Sequence, residues 1–414
     1  MSNLPKGWEK VFLKEVVQDM HQGINTVTEN IEYYDNGIDI LQAKHITSGY
    51  IDLSDPKKVS IEDYNKYKAK YQPQINHILL TNIGTIGKVL IVEENIDFLI
   101  AWNIFLIKSN QLKINPHFLF YVLKKYDIDK FYDKFLTGNA TKFINKKFMG
   151  DIEIPLPPLE EQKKIADILS TVDKKIAFVE ENINATEELK KGLMQKLLTE
   201  GIGHTEFKNS ELGRIPESWE VNEFGKISDI LDPHPSHRAP KEDSNGYPFV
   251  GIGDISENGI INLQSSRKVS IEDIKEQNSN ISINENDIGF GRVATVGKVI
   301  KFRGDYSFPF ALSPTMAVIK VKDIEYEYFY QYLTSTMTKK QFKNFTSGST
   351  RISLGIQNLR KLLVLIPPLE EQKQIAEILS TVDNKLENLK EKKQSFEELK
   401  KGLMQKLLTG EVRV

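Results

Sequence analysis

PPLEEQKKIADILSTVDKKIAFVEENINATEELKKGLMQKLLT, residues 157–199, recurs almost unchanged at residues 367–409 as PPLEEQKQIAEILSTVDNKLENLKEKKQSFEELKKGLMQKLLT. The two segments align without a gap at a constant offset of 210 residues, and 30 of their 43 residue pairs are identical. The chain of 414 residues is therefore a tandem duplication whose repeated segment has kept its length and register.

The apolar residues of both segments recur at alternating spacings of three and four, the pattern of a coiled-coil seam. They are Ile165, Leu169, Val172, Ile176, Val179 and Ile183 in the first segment and Ile375, Leu379, Val382, Leu386 and Leu389 in the second. The prolines at the start and the glutamates of the first turn favour a helix that begins at each Pro-Pro-Leu. A helix of about 40 residues is roughly 60 Å long. Because its apolar stripe needs a cover, we expect the two helices to pack antiparallel around a pseudo-two-fold axis.

Identity between the copies also extends to polar positions that a two-helix seam would leave outside. This pattern predicts that one outer surface is presented twice, to two copies of one partner. The alternatives are a recent duplication or an ordinary solvated charged face. The predicted partner-binding residues are Glu160, Gln162, Lys163, Lys190 and Lys191 in the first helix and Glu370, Gln372, Lys373, Lys400 and Lys401 in the second.

A stretch of about 150 to 160 residues precedes each helix, the usual size of one domain. The two stretches share only fragments, such as LPKGWEK at 4–10 with IPESWEV at 215–221 and TIGKVLI at 85–91 with TVGKVI at 295–300. Short apolar runs such as HILLTNIG at 77–84 indicate strands, while residues 117–136 and 326–345 indicate helices. The predicted class is α+β, with two homologous strand-rich domains at 1–156 and 204–366 and the two repeated helices at 157–203 and 367–414.

Composition excludes several classes of protein. The chain has no cysteine, which excludes disulfides and thiolate metal sites and suits the cytoplasm. We expect no membrane span, because no stretch approaches 18 apolar residues. The sequence also lacks an NTPase P-loop and a catalytic constellation. His234 and His237, in a proline-rich loop without a nearby carboxylate, make a poor zinc site. These patterns favour a binding protein.

The net charge of −2 argues weakly against a nucleic-acid binder, but the distribution of charge points the other way. Four lysines and no acidic residue lie between residues 134 and 147, and six basic residues and no acid lie between 339 and 361. In each of these two segments a small polar loop follows a basic helix. Such a loop suits phosphate contacts through backbone N–H groups, hydroxyls and a cation. A solubilising charge run is the alternative. Because the basic segment and its polar loop occur in both copies, we favour phosphate contact over this alternative.

The two PPLEEQ helices, the GLMQKLLT ends and the GWEK and SWEV starts resemble the DNA-specificity subunit of a type I restriction-modification system over essentially the whole chain. The resemblance implies that each domain reads one half of a split, asymmetric duplex DNA target, while the helices set the gap and dock two copies of a DNA adenine methyltransferase subunit. Restriction and translocase subunits would join that core. S-adenosylmethionine, ATP and Mg would then be cofactors of the partner subunits, with none in this chain.

Carried onto matching positions, the resemblance implies DNA contacts in both domains, with those of the loops made mainly through the backbone. The expected residues are Asn139, Thr141, Lys142 and Lys146 in the first domain and Ser349, Thr350 and Arg351 in the second, with Lys44, His237, Arg238 and Arg292 as further candidates for reading bases. Two alternatives stay open: the specificity protein of a fused methyltransferase-nuclease system, and a scaffold that binds no DNA.

Overall fold

The structure, a computed structural model, describes residues 4–135, 142–233, 240–256, 262, 266–293, 295–302, 308–346 and 353–414. The chain divides into two compact units. The first comprises Met1–Glu180 with Glu391–Val414, and the second comprises Glu181–Lys390. Each unit therefore holds one of the predicted domains together with parts of both repeated helices.

The elements before the first long helix form short strands and mostly short helices. The strands are β1 Glu9–Phe12, β2 Val17–Gln22, β3 Ile38–Leu41, β4 Lys57–Val59, β5 Ile78–Thr81, β6 Val89–Ile91, β7 Phe98–Ile100, β8 Ile104–Ser109 and β9 Glu153–Leu156. The helices are α1 Leu13–Val16, α2 Ile61–Tyr71, α3 Pro116–Ile128 and α4 Lys146–Gly150, with 3-10 turns at Ala43–Ile46 and Phe131–Phe135. The long helix α5 spans Leu159–Leu197.

The same series follows in the second half of the chain. Its strands are β10 Phe207–Ser210, β11 Gly213–Pro216, β12 Glu220–Glu223, β13 Ser228–Leu231, β14 Tyr247–Val250, β15 Arg267–Val269, β16 Asp287–Gly291, β17 Val299–Lys301, β18 Ala311–Leu312, β19 Met316–Val321 and β20 Leu363–Ile366. Its helices are α6 Phe224–Ile227, α7 Ile271–Asn280, α8 Tyr326–Thr334, α9 Thr336–Thr346, α10 Ile356–Arg360 and α11 Leu369–Leu407, with a 3-10 turn at Ile252–Asp254.

Two small sheets form the body of the first unit. A four-stranded antiparallel sheet has the order β2-β8-β5-β6, and a three-stranded sheet has the order β4-β3-β7, in which β3 and β7 are parallel. Alternate residues of β5 face opposite sides: Ile78 and Leu80 lie in a cluster with α3 and α5, while Leu79 lies in a cluster with residues of the other sheet. Both faces of this sheet are thus buried, which explains why its strands read as continuous apolar runs.

The second unit repeats this layering. Its sheets have the orders β13-β19-β16-β17 and β15-β14-β18. Ile288 and Phe290 of β16 pack in one cluster with α8 and with Ile375 and Leu379 of α11. The strand prediction at 77–84 is confirmed by β5, and the α+β class holds for both units.

Both long helices begin where the sequence predicted, one residue after each Pro-Pro pair, and each contains 39 residues. Within each unit they lie side by side and run antiparallel. In the first unit Asp173 pairs with Lys400 and Glu180 with Lys393, so the residue numbers of the two helices run in opposite directions. The second unit shows the same order, with Lys190 paired to Asp383 and Glu187 to Lys390. The predicted seam residues are buried or half-buried.

The late helix of each domain is shorter than predicted. In the second unit it breaks at Ser335, where the chain is extended. The Ser335 hydroxyl accepts a hydrogen bond from the Thr338 amide at 3.2 Å and so caps the new helix α9. In the first unit the helix ends at Ile128, and Lys130 adopts a positive φ of 54° before the 3-10 turn.

No helix within the described ranges is long and apolar enough to cross a membrane. Among the same residues, no group of three or more His, Cys, Asp or Glu side chains is placed to hold a metal ion.

His77, which precedes β5, provides a test of the first unit by pH. Burial, and then the charges of Lys108 and His21, lower the pKa of His77 to about 4. Its Nδ1 accepts a hydrogen bond from the Gln74 amide at 2.9 Å, which requires an unprotonated Nδ1. Between about pH 4 and 6.5 the unfolded chain therefore binds a proton that the folded chain does not, so stability falls as the pH is lowered through this range.

We expect His77→Gln to remove part of this acid sensitivity, worth no more than about 2 kcal/mol between pH 6.5 and 4. Urea denaturation of the wild type and the variant across this range measures it. Parallel stability curves for the two proteins would contradict the assignment.

Candidate nucleic-acid interface and the joints that mount it

A buried carboxylate of α5 holds the start of the first domain. Glu161, only 6% exposed, accepts hydrogen bonds from the Trp8 indole at 3.1 Å and from the guanidinium of Arg413 at 2.7 Å. The Arg413 guanidinium, followed by the Trp8 indole, keeps the pKa of Glu161 below its usual value although burial acts in the opposite direction. Glu161 therefore joins the first strand region of the domain, the start of α5 and the segment after α11.

The second unit has the same joint, with a histidine in place of the arginine. Glu371 accepts hydrogen bonds from the Trp219 indole at 2.9 Å, from His204 Nε2 at 2.8 Å and from the Ile202 amide at 2.9 Å. His204 takes the place that Arg413 has in the first unit. The glutamate and the tryptophan of the joint are thus common to both units, and the third group differs.

The glutamine that follows each of these glutamates holds a second part of the domain. Gln162 is 1% exposed, and its Oε1 accepts a hydrogen bond from the amide of Asn115, the N-cap of α3, at 2.8 Å. Its Nε2 donates to the Pro157 carbonyl at 2.8 Å. Gln372 is 3% exposed and makes the matching bonds to the Glu325 amide and the Pro367 carbonyl, both at 2.8 Å.

A third contact joins each domain to both long helices. Asp173 accepts a hydrogen bond from the Tyr121 hydroxyl of α3 at 2.8 Å and pairs with Lys400 of α11. Burial, and then the Asp173 charge, raise the pKa of the Tyr121 hydroxyl, so it stays a hydrogen-bond donor.

The second unit repeats this contact around Asp383, which accepts from Gln331 Nε2 at 2.6 Å and pairs with Lys190 at 2.5 Å. Tyr121 and Gln331 occupy equivalent positions at the offset of 210 residues.

These contacts correct the interpretation of the repeated polar residues. The prediction that they lie on an outer surface is wrong for Gln162 and Gln372, which are buried under a helix N-terminus. Lys190 and Lys400 also face inward, with side chains 23% and 12% exposed, because each neutralises an aspartate of the neighbouring helix. Their identity in the two copies follows from making the same internal contact twice.

The rest of that predicted surface does lie outside. Glu160 and Lys163 form an exposed pair within α5, as Glu370 and Lys373 do within α11. Lys191 and Lys401 are also exposed. Partner binding by these six residues stays a prediction.

The candidate DNA-contacting loops begin or end beside the same end of the central sheet in both units. Ile83 forms a β-bridge with Phe143 in the first unit, and Val293 forms one with Ser353 in the second. Each bridge joins the turn after the central strand, β5 or β16, to the residues that follow the candidate loop. The residues that follow each candidate loop are therefore fixed to the strand end.

A glycine in this turn allows a ring to pack closely. Gly87 has φ +83°, and a Cβ there would lie 2.4 Å from the Tyr132 ring. Gly297 has φ +86°, and its Cβ would lie 2.4 Å from the Phe342 ring, the equivalent residue. Only glycine adopts this backbone without strain and leaves the space. The TIGK and TVGK fragments thus mark a turn in both units.

The basic residues of the first loop are partly described. Lys142 is exposed, and its carbonyl accepts a hydrogen bond from the Gly84 amide at 3.3 Å. Lys146 is exposed in the first turn of α4. The following predicted residues lie outside the described residues: Asn139, Thr141, His237, Arg238, Ser349, Thr350 and Arg351.

Lys44 lies in the 3-10 turn after β3 with its side chain 57% exposed. Its ammonium group donates to Asp55 at 3.0 Å, and this hydrogen bond lowers the pKa of the Asp55 carboxyl. The neighbouring His45 accepts from the Gln42 amide through Nδ1 at 2.9 Å and so braces the turn. Lys44 is accessible to DNA, but a base contact would compete with Asp55.

Arg292 is not the exposed loop residue that the sequence predicted. It is 5% exposed, and its guanidinium donates to Asp232 at 2.9 Å and to the Pro314 carbonyl at 2.7 Å. It lines a cavity of about 850 Å³ beside α10, together with Asp232 and Arg360. Base reading by Arg292 stays a prediction that requires these bonds to be exchanged.

Sequence reasoning missed the counterpart of Arg292 in the first unit. Asn82, at the same offset of 210 residues, also follows the central strand directly. It is fully buried, and neither side-chain polar atom finds a hydrogen-bond partner within the described residues. Applying the offset to Arg292 would have found it. The two units therefore carry different buried polar side chains at one equivalent position next to their candidate loops.

The fold and these contacts define a class of protein: a duplicated chain of two homologous α+β units, in each of which repeated polar contacts join a domain to two long antiparallel helices. A family model described as "Type I restriction modification DNA specificity domain" matches residues 5–188 and again residues 216–398.

Curated relatives agree with this match. One from Methanocaldococcus jannaschii, named as the MjaX specificity subunit of a type I restriction enzyme in a name that marks the assignment as provisional, is 31% identical and covers 100% of this chain and 96% of its own length. The MjaVIII specificity subunit of the same organism is 31% identical over 79% of this chain and 81% of its own length.

Solved structures show the same fold. The type I restriction-modification S subunit of M. genitalium superposes with a TM-score of 0.60 at 16% identity, covering 98% of this chain and 97% of that one. A chain from a study of the assembly and conformational transition of the type I R-M system gives 0.58 at 17% identity, with full coverage of both chains.

The chain belongs to the type I restriction-modification DNA specificity family. Its role is that of a DNA sequence-specificity subunit.

The buried glutamines provide a test of the joints. Replacing Gln162 with Leu leaves the Asn115 amide and the Pro157 carbonyl without their partner, so we expect a loss of about 1–3 kcal/mol in the free energy of unfolding. The same change at Gln372 should have a similar effect. Denaturation by urea measures both.

Glu160→Gln is the matched control, because Glu160 is exposed two residues earlier in the same helix turn and should change stability by less than about 0.5 kcal/mol. If Gln162→Leu were as mild as this control, the joint would not hold the domain.

Proposed function

We propose that this chain is the non-catalytic reader of a type I restriction-modification complex, and that its two units each recognise one half of a bipartite, asymmetric duplex DNA target. The observation that carries the proposal is the repetition of the joints. Glu161, Gln162 and Asp173 mount the first domain, and Glu371, Gln372 and Asp383 mount the second with equivalent bonds. The same mounting carries two different domains.

This arrangement suits recognition of two different short DNA sequences, the two half-sites of the target. Side chains reach base edges only where a groove faces the protein, about once every 10 bp. Domains that differ in sequence but share a mounting would contact two such places with different residues. The bases between them would not be read, and the length of the helices would set that gap.

The candidate loops would contribute mainly phosphate contacts in this complex. Lys142 and Lys146 are exposed at the sheet end, and a cation beside backbone N–H groups and hydroxyls suits a phosphate. The proposed contact set is Asn139, Thr141, Lys142, Lys146, Ser349, Thr350 and Arg351, with Lys44, His237, Arg238 and Arg292 as proposed base readers.

The exposed pairs at the start of each long helix would face two copies of a DNA adenine methyltransferase subunit. Equivalent residues occur on both helices, which supports two docking surfaces that share these pairs. Restriction and translocase subunits would complete the assembly. S-adenosylmethionine, ATP and Mg would be used by those partners, and the complex would act in the cytoplasm, where its DNA is.

Binding to duplex DNA tests the loops. We expect Lys142→Ala combined with Arg351→Ala to weaken DNA binding and to reduce the slope of log affinity against log salt by about 2, since each lost phosphate contact removes about 0.9. Fluorescence anisotropy at several salt concentrations, with the chain in complex with its methyltransferase, measures this.

Lys10→Ala combined with Lys226→Ala removes the same charge at exposed positions outside the candidate loops and should leave the slope unchanged. A reduction of equal size in both double variants would mean that the loops are not the phosphate contacts.

The helices can be tested as the ruler of the target. Seven residues inserted after Glu180 and seven after Lys390 would lengthen both helices between the two sets of joints, by about 10 Å or three base pairs. One heptad preserves the apolar seam. We expect methylome mapping to show that both half-sites are unchanged and that the gap between them is longer. An unchanged gap would show that the helices do not set it.

A further inference from the structure

The first unit has an apolar groove on its pair of long helices. It has a volume of about 390 Å³, and its lining includes Phe178, Val179 and Phe396. Phe178 is 66% exposed, and Lys175 Nζ lies 5.8 Å from the centre of the Phe396 ring. The groove therefore combines aromatic surface accessible to solvent with positive charge.

The charge along the groove has one sign. Lys174, Lys175 and Lys392 are among its lining residues, and no carboxylate is. A partner that places an apolar side chain in this groove would be favoured by carboxylates on either side of that side chain.

The duplication offers an internal comparison for this surface. The offset of 210 residues relates Phe178 to Asn388 and Phe396 to Thr186. It relates Lys174 to Asn384 and Lys392 to Asn182, in the same way. Both aromatic residues and two of the three lysines thus have small polar residues at the corresponding positions of the second unit. The helices are nearly identical at their ends, and they differ here.

We propose that this groove receives a helix of one methyltransferase subunit, so that the two methyltransferase copies dock on the chain with unequal affinity. The inference rests on the proposed function and adds to it. A shallow groove along two packed helices fits a third helix, which would insert an aromatic or aliphatic side chain flanked by Asp or Glu. At the corresponding place of the second unit the same helix would meet the exposed Asn388, while Thr186 is buried, so it would gain neither the apolar burial nor the charge pairing.

A helix is a better occupant than nucleic acid for this groove. DNA phosphates would use the lysines but would leave the aromatic surface in contact with water. An apolar side chain flanked by carboxylates uses both. The aromatic residues of the groove have polar counterparts in the second unit. The groove therefore fits an occupant that binds strongly once per chain, as we propose for one methyltransferase copy.

The test is a titration of the purified full chain with the methyltransferase subunit of its own system, followed by native mass spectrometry and calorimetry. We expect two dissociation constants that differ by about ten-fold or more, since one docking surface buries aromatic area that the other lacks. The species with one methyltransferase should accumulate before the species with two.

Exchanging the groove residues for their counterparts provides the decisive variants. Phe178→Asn with Phe396→Thr should weaken the tight site to the level of the other. Asn388→Phe, at an exposed position of the second unit, should strengthen the weak site. Lys174→Asn with Lys392→Asn keeps the aromatic surface and should reduce the salt dependence of the tight site. Circular dichroism and a melting curve confirm that each variant keeps the helices.

Several results would overturn the inference. Two equal dissociation constants in the wild type would leave the proposed function standing but remove the unequal docking. Unequal constants that survive the Phe178→Asn, Phe396→Thr exchange would place the difference elsewhere. A dimer of the chain alone, or DNA binding, that this exchange abolishes would assign the groove to a different occupant. No methyltransferase binding at all would overturn the proposed docking as well.

Discussion

The structure depends on a set of buried polar contacts between each domain and the long helices. A carboxylate or amide removed from water costs free energy unless its hydrogen bonds are replaced, so a buried Glu161 or Gln162 requires its partners to be in place. Hydrophobic packing of α3 on α5 and of α8 on α11 also holds the domains but tolerates small shifts. The hydrogen bonds at the N-caps, the tryptophans and the aspartates restrict those shifts.

These contacts explain how the duplicated chain could change in one part and stay constant in another. The residues of the joints belong to the repeated segments, and their partners in each domain include a backbone amide, a tryptophan and one side chain that differs between the units, Tyr121 or Gln331. A backbone amide is available whatever the side chains of the domain are. The domains can therefore differ in sequence, and in what they bind, without losing their place on the helices.

The two units differ at equivalent positions of two kinds, one beside the candidate DNA-binding loops and one on the long helices. Asn82 and Arg292 share a backbone position but not a chemistry, and they lie next to the loops that we propose to contact DNA. Phe178 and Asn388 differ on the helices themselves, far in sequence from those loops. The first difference fits recognition of two different DNA half-sites, and the second fits two unequal docking surfaces for the methyltransferase.

The sequence by itself determined the duplication, both helix starts, the seam and the α+β class. Periodicity and proline positions act locally, so they can be read from residues close together in the chain. It also showed that a run of basic residues without an acid recurs at the equivalent place of both halves. It failed where a role depends on what covers a residue. Gln162 and Lys190 look like solvated helix residues, and Arg292 looks like an exposed loop cation. Only the tertiary structure decided that a helix N-terminus, an opposing aspartate and a buried carboxylate cover them, because burial is set by residues distant in the chain.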